Sequence, residues 1–459
     1  MFGKIWKEKR GARVHSPALL GALALSALSL IGCEGILEVT DREFLTPDAV
    51  SPDLLVAGAF RDFNTAYSGG GLTDRFLSNT ALFTDEAFSA GTFPTRTATD
   101  QRAQFSISQG NTSDLGYVEL HQARRAAIRA RRALTEAGVA GSLISEMRVL
   151  EGFTHIALGE AYCSGIPFSE VTEEGDLIDG PALSTQQIFE TAIVIFDQAS
   201  GDPAAAVGKG RALLNLGRFS EAAAAVAGVS TSFMRVIEHN ANSGDQENPM
   251  FNLQSNGRHS LSEREGGNGL PFRSAGDPRI PWVQDPAGGF EPNIPLYLIQ
   301  KYTESRSAPV VLADGLEARL IEAEANLNGG NTAAWLAELN ALRANVGEFM
   351  SARIIGYSSL VPGPNNPTTT LAPLVDPGTQ DARVDLMFSE RAFWMHVTGH
   401  RLGDLRRLVR DYGRSESTVF PVGAYHKGGT YGNDVNMPLD FDETNNPNFT
   451  ETSCVFSSA

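Results

Sequence analysis

The sequence predicts a mainly α fold, a helical-repeat superhelix interrupted by long loop-rich inserts with a few short strands. Three observations carry this reading. Residues 211–229, RALLNLGRFSEAAAAVAGV, have the pattern of one helix, a Leu216-Gly217-Arg218-Phe219 turn and a second helix, with Gly217 as the left-handed residue that stops the first. The layout returns further on, where Ala323 stands seven residues before Gly330 as Gly210 stands before Gly217. Between the copies, six prolines from Pro271 to Pro295 exclude continuous helix.

The repeated spacing resembles a tetratricopeptide (TPR) helix-turn-helix, whose pairs stack because one pair alone cannot bury its apolar face. An ordinary helical hairpin is the alternative for either copy taken singly; two copies favour the repeat. In chain order, Pro52 stands in the first turn of a helix continued by Leu54, Leu55, Ala59 and Phe63, and Gly69-Gly70-Gly71 ends it. TPR-like helices are expected over about 48–67, 116–235, 313–346 and 385–410 of one domain spanning 48–459. Met147, Leu150, Phe153, Ile156 and Ala157 give the helix at 142–162 its apolar stripe. Inserts at 72–115, 240–311 and 356–380 read as loops, with extended pieces expected at Met250–Gln254 and Pro295–Tyr302.

The N-terminus carries a separate signal. Lys4, Lys7, Lys9, Arg10 and Arg13 precede a short apolar run, Ala18 to Gly32, and then Cys33. The run is shorter than the roughly 20 residues needed to span a bilayer, but suits a secretory signal. Gly32-Cys33 resembles a bacterial lipobox, in which the signal, here 1–32, is cut and the cysteine lipidated; a plain signal peptide with an incidental cysteine is the alternative. Cys33 would begin a lipidated tether over 33–47 and anchor the chain to a membrane, and Glu34, not an aspartate, favours the outer membrane, with the chain exposed at the cell surface. With five cations and one anion in 1–32, the mature chain would carry −21 instead of −17. Each acyl CH₂ buried is worth about 0.8 kcal/mol, so lipid and not charge would hold such a chain. The acidic balance argues against a nucleic-acid partner.

An exported chain sits in an oxidising compartment, so Cys163 and Cys454 form a disulfide candidate, two buried free thiols being the alternative. The bridge would be worth about 5–6 kcal/mol as an upper bound in the chain-entropy model.

These pieces together resemble the SusD/RagB family of outer-membrane nutrient-uptake lipoproteins. The residues that carry the resemblance are Cys33-Glu34, Thr84-Asp85-Glu86-Ala87-Phe88, Glu151-Gly152-Phe153, and Leu158-Gly159-Glu160-Ala161-Tyr162 before Gly165-x-Pro167. They continue with Gln300-Lys301-Tyr302, Arg319 to Ala325 and Leu339 to Arg343. The most specific are Glu390-Arg391, Gly399-x-Arg401-Leu402-Gly403-Asp404-Leu405-Arg406-Arg407, Phe420-Pro421 and Asn445-Asn446-Pro447-Asn448. The resemblance implies a binding protein and not an enzyme, with no cofactor. It implies a TPR-like scaffold facing a SusC-like TonB-dependent transporter, and a loop-rich face that captures oligosaccharides or, in some branches, peptides. Phe88, Phe93, Trp282 and Tyr297 are the expected ligand-binding aromatics, with Arg96 and Arg102 as polar partners. A TPR lipoprotein that scaffolds envelope assembly is the competing class, but a pure scaffold needs no aromatic inserts.

Other chemistry finds little support. His396 and His400 are four apart, near Glu390 and Asp404, but a zinc-protease helix requires Glu where Val397 stands. Asp434, Asn436, Asp440, Asp442 and Glu443 offer hard oxygen donors for Ca²⁺ without the spacing of an EF-hand loop. No metal site is therefore expected. No nucleophile elbow or phosphate-cradling glycine loop is present.

Overall fold

In the computed structural model, the described residues are 50–103, 116–172, 176–450, 452 and 454–459. The signal-like segment, Cys33 and the tether lie outside them.

The scaffold is a two-layer stack of helices. It begins with α1 (Pro52–Tyr67), whose Pro52 occupies the first turn and whose Ser51 side chain accepts from the Leu54 N–H. Next come two shorter helices, α2 (Phe76–Phe83) and α3 (Pro94–Asp100), and then α4 (Tyr117–Glu136), α5 (Ser142–Ala161), α6 (Thr185–Asp197), α7 (Pro203–Asn215) and α8 (Phe219–Val226). Further along are α9 (Pro249–Ser255), α10 (Gln300–Thr303), α11 (Gly315–Asn328), α12 (Thr332–Ala344), α13 (Val346–Arg353) and α14 (Tyr357–Leu360). The last long helices are α15 (Gln380–Trp394) and α16 (Arg401–Arg410). Helices α1, α5, α7 and α11 touch one another in turn, and α4, α6, α8 and α12 form the second layer against them. The exposed face of the first layer is crossed by α16 on α5 and by α15 on α11.

The opening hairpin shows why these helices stop where they do. Gly217 has φ +67°, and the Arg218 and Gly217 amides return to the Leu213 and Leu214 carbonyls at 2.9 and 3.0 Å. Gly330 repeats this at φ +74°, with Asn331 and Gly330 donating to Asn326 and Leu327 at 2.8 and 3.2 Å. Only glycine adopts this left-handed position without strain, and the paired bonds satisfy carbonyls that the helix end leaves open.

Among the described residues the connections between helices hold ten short strands: β1 (Ala87–Ser89), β2 (Ile166–Pro167), β3 (Glu170–Val171), β4 (Leu177–Ile178), β5 (Ala182–Leu183), β6 (Met234–Ile237), β7 (His259–Leu261), β8 (Trp282–Asp285), β9 (Leu296–Ile299) and β10 (Val310–Asp314). Among the described residues they form five antiparallel pairs, β1–β7, β2–β5, β3–β4, β6–β10 and β8–β9. Cys163 and Cys454 are bonded, with Cα atoms 5.1 Å apart, and Met437 donates to the Ala161 carbonyl at 2.7 Å beside them. The C-terminal segment is thereby fastened to the end of α5.

Three expectations need correction. The 72–115 insert is more ordered than a loop, since it contributes α2, β1 and α3, and all eight residues of α2 are buried. Met250–Gln254 belongs to helix α9, started by Pro249 and capped by Asn248, whose Oδ1 accepts from the Phe251 N–H. The span 385–410 is two helices, with a break at 395–400 where Val397 has φ +48° and Gly399 φ +80°. A Cβ on Gly399 would stand 2.8 Å from both the Tyr67 and Phe76 side chains, so the chain must turn there. The break stays buried because side chains satisfy its backbone. Tyr302 and Tyr67 hydroxyls donate to Val397 and Thr398 carbonyls at 2.7 and 3.0 Å, Lys301 Nζ donates to the His396 carbonyl at 2.9 Å, and Glu86 Oε1 accepts from Val397 N–H at 2.7 Å.

Most family-like motifs converge on this crossing. Arg401 grips Asp85 at 2.6 and 2.8 Å, Arg211 meets Glu160 at 2.8 Å, and Arg391 meets Asp404 with two bonds of 2.9 Å. Arg407 bonds both Asp404 and Glu324. All of these side chains are buried. Burial pushes the Asp404 carboxyl up, but Arg391 and Arg407 outweigh it and hold it well below the usual range.

Candidate functional site

The expected site residues fall into two groups. Arg96 is 7% exposed and its Nε donates to Asp74 Oδ2 at 2.5 Å, while Nη2 donates to the Leu72 carbonyl at 3.1 Å. Arg102 is 2% exposed, donates to the Asp434 and Gly432 carbonyls at 2.6 and 2.8 Å and to that of Pro421, and lies over the Phe420 ring. Burial lowers its pKa to about 10, against the pull of Asp434. Both arginines staple loops together: Arg96 fastens its helix to the segment after α1, and Arg102 fastens α3 to the C-terminal loops. Phe88 is half-buried, packed against the His426 ring at 5.0 Å.

Phe93, Trp282 and Tyr297 are at the surface. Phe93 precedes α3 and is 49% exposed. Trp282 on β8 and Tyr297 on β9 meet edge to face at 5.6 Å and are half-buried. The structure adds three residues to them. Phe290, in the β8–β9 loop, is 54% exposed, and the Arg258 guanidinium lies 3.4 Å from its ring centre and 5.2 Å from that of Phe93. Arg273 lies 3.6 Å over Tyr297 and 5.9 Å from Trp282, whose Nε1 donates to the Arg273 carbonyl at 3.3 Å.

One strand joins the two clusters. In β7, Ser260 stands opposite Phe88 of β1, and its Oγ accepts from the Tyr297 N–H at 2.8 Å. Just before β7, the Gly257 carbonyl accepts from Phe290 and the Arg258 carbonyl from Ala90, both at 2.8 Å. β1, β7, β9 and β8 thus form a ledge bearing Phe93, Phe290, Arg258, Arg273, Trp282 and Tyr297. Loops carry Phe93 and Phe290, strands β8 and β9 carry Trp282 and Tyr297, and the strand pairing holds these backbones in register.

Beneath the ledge, Asp100, Glu265 and His426 bring their ligand atoms within 4.8 Å of one another. Asp100 Oδ2 accepts from the Ser89 N–H and the Tyr425 hydroxyl at 2.7 Å, and Glu265 Oε1 accepts from Tyr431 at 2.8 Å. Burial, and for Glu265 also the neighbouring Asp100, pushes both carboxyl pKa values up. Asp100 and Glu265 thus tie the ledge to Tyr425 and Tyr431 of the C-terminal loops. His396 and His400 sit in the helix break, not on one helix face. His396 packs on Phe272 at 4.7 Å, and burial lowers it to about 3, while His400 Nε2 lies 2.9 Å from Arg211 Nη1. The C-terminal acids do not pool. Asp440 caps its own turn, Glu443 accepts from Tyr117, and Asn436 binds the carbonyls of Val455, Phe456 and Ser458.

The cavities described lie away from the ledge. One of about 220 Å³ is lined by Tyr117, His121, Arg125 and Leu177, and one of about 550 Å³ lies beside the Gly217 and Gly329 turns.

No family model matches the chain, and no curated protein matches it. Solved structures do. A SusD superfamily protein from Bacteroides fragilis aligns with TM-score 0.61 and 15% identity over 87% of this chain and 99% of its own. Another from Bacteroides thetaiotaomicron gives 0.59 and 13% over the same shares, 87% and 99%. A laminarin-binding SusD-like protein gives 0.52 and 14% over 87% and 98%. At such identities the likeness concerns architecture: the chain folds as SusD superfamily proteins do.

Proposed function

We propose that this chain belongs to the SusD/RagB family and is a cell-surface lipoprotein of the outer membrane, anchored through Cys33. It captures an oligosaccharide on the aromatic ledge and passes it to a SusC-like TonB-dependent transporter docked on the helical scaffold. The observation that carries the reading is the ledge: rings exposed on ordered inserts of a SusD-like fold, which also occurs in a laminarin-binding protein. Sugar rings present apolar C–H faces that lie flat on Phe93 and Phe290, while guanidinium N–H groups serve the hydroxyls. The chain acts as a binder and not as a catalyst. Among the described residues no helix is long and apolar enough to cross a membrane, so in this reading the lipid supplies the attachment.

Calorimetric titration of the full-length protein against an oligosaccharide and peptide panel tests capture. Saturable binding to a glycan is expected, weakened about tenfold (~1.4 kcal/mol) by Phe93→Ala or Phe290→Ala. Binding to peptides alone would replace the glycan reading with peptide capture, and binding to neither would remove it. Purification of the lipidated protein from its own membranes should bring down a large β-barrel; recovery of assembly machinery instead would favour the scaffold class.

A further inference from the structure

We propose that the captured oligosaccharide is anionic, with a uronic-acid carboxylate or a sulfate ester docked on the Arg258 guanidinium and Arg273 offering a second such position. This rests on the carbohydrate-binding reading above and specifies its ligand class.

The argument starts from charge. The chain carries 37 Lys and Arg against 54 Asp and Glu, so carboxylates are in excess and most buried arginines find one. Arg96, Arg211, Arg279, Arg353, Arg391, Arg401 and Arg407 all do. Arg258 does not. Among the described residues its guanidinium has neither an ion pair nor a hydrogen bond, and its Nη1 is buried without a partner. Its charged neighbour is another cation, Arg96, whose guanidinium lies 4.7 Å from the centre of the Phe93 ring. Arg273 is similar: its Nε is buried without a partner, and nearby Glu263 is engaged by the Arg273 and Ser274 backbone amides and the Ser274 hydroxyl.

A buried donor without a partner is destabilising, and a cation is more so. Two such buried donor atoms on one ledge, each on a guanidinium that lies over an aromatic ring, point to a ligand that completes them. A stacked guanidinium leaves its in-plane N–H edge for a two-oxygen anion, which it grips with parallel bonds. An acidic sugar supplies both halves together: a C–H face for Phe93 or Phe290, and an anionic group for the adjoining Arg258. A neutral sugar fills only the first. In a chain of net charge −17, such local cations also overcome a field that would otherwise repel an acidic polymer.

The test compares matched oligomers on the full-length protein. Oligogalacturonate and oligomannuronate are titrated beside their methyl esters, and sulfated galactan oligomers beside desulfated ones; the arms separate carboxylate from sulfate. At 50 mM salt, an acidic oligomer is expected to bind at least about tenfold more tightly than its neutral counterpart, with the advantage shrinking at 500 mM. Arg258→Gln should bring the acidic-to-neutral ratio close to one without lowering the melting temperature, and Arg258→Lys should keep part of it; Arg273→Gln provides a second, independent variant. A wild-type ratio of one or less, with neutral oligomers still bound, overturns the anionic ligand and leaves carbohydrate capture standing. Saturable binding to no oligosaccharide, or only to a glutamate-rich peptide, overturns both.

Discussion

At the crossing of α5, α7, α11, α15 and α16, Arg211, Arg391, Arg401 and Arg407 each meet a buried carboxylate, whereas on the ledge Arg258 and Arg273 lie over aromatic rings and, among the described residues, form no ion pair. The residue type is the same and the settings are opposite. In the crossing these four cations are answered within the chain, so they define the packing. On the ledge each guanidinium lies over a ring instead. Removing a cation should therefore damage the fold in one region and recognition in the other.

The largest expected effect comes from taking a cation away from buried carboxylates. Arg391→Met leaves Asp404 and Glu324 to Arg407 alone and should lower unfolding free energy by about 3–5 kcal/mol, read by urea denaturation. The next is the covalent fastening: Cys454→Ser should cost about 2–5 kcal/mol, and its stability should no longer respond to dithiothreitol. A pH series separates the regions by sign. Asp404 is held low, so its contribution is present above the ordinary aspartate pKa of 3.8 and lost as pH falls through its folded value. Asp100 and Glu265 are held high, so theirs is complete below the ordinary glutamate pKa of 4.5 and declines as pH rises through their folded values. Glu265→Gln should flatten that decline, whose slope can reach about 1.4 kcal/mol per pH unit per proton. The smallest effect is Arg258→Gln, with a stability change within about 0.5 kcal/mol; a loss as large as that of Arg391→Met would erase the contrast between the regions.

What could be read from sequence was local. Gly217 and Gly330 signal their turns because a left-handed residue after an apolar helix is a property of a few neighbours. The end of α4 follows the same rule at Gly138, where φ is +69° and Val139 donates to the Leu134 carbonyl at 2.9 Å. Helix α2 was missed because it is buried on every side and so shows no apolar stripe. Helix α9 had its start signal, Asn248 before Pro249, within a segment whose prolines and glycines argued for loops. At the site, ring-bearing loops were legible from composition, and Phe93, Trp282 and Tyr297 do stand on the ledge. Arg96 is occupied by Asp74, 22 positions earlier, and Arg102 by carbonyls more than 300 positions later. Being without a partner, as Arg258 is, depends on everything that folds around it and leaves no mark in the neighbouring sequence.

The Cys163–Cys454 bond, across 291 positions, makes most of the protein a closed covalent ring, with the first helices as a stem outside it. A protease that nicks one exposed loop inside the ring, such as the segment around Val375, opens the circle but detaches nothing. Release of a fragment requires two cuts or a reductant. A chain built in this way tolerates a single scission, and on a gel its nicked form separates into pieces only after the bond has been reduced.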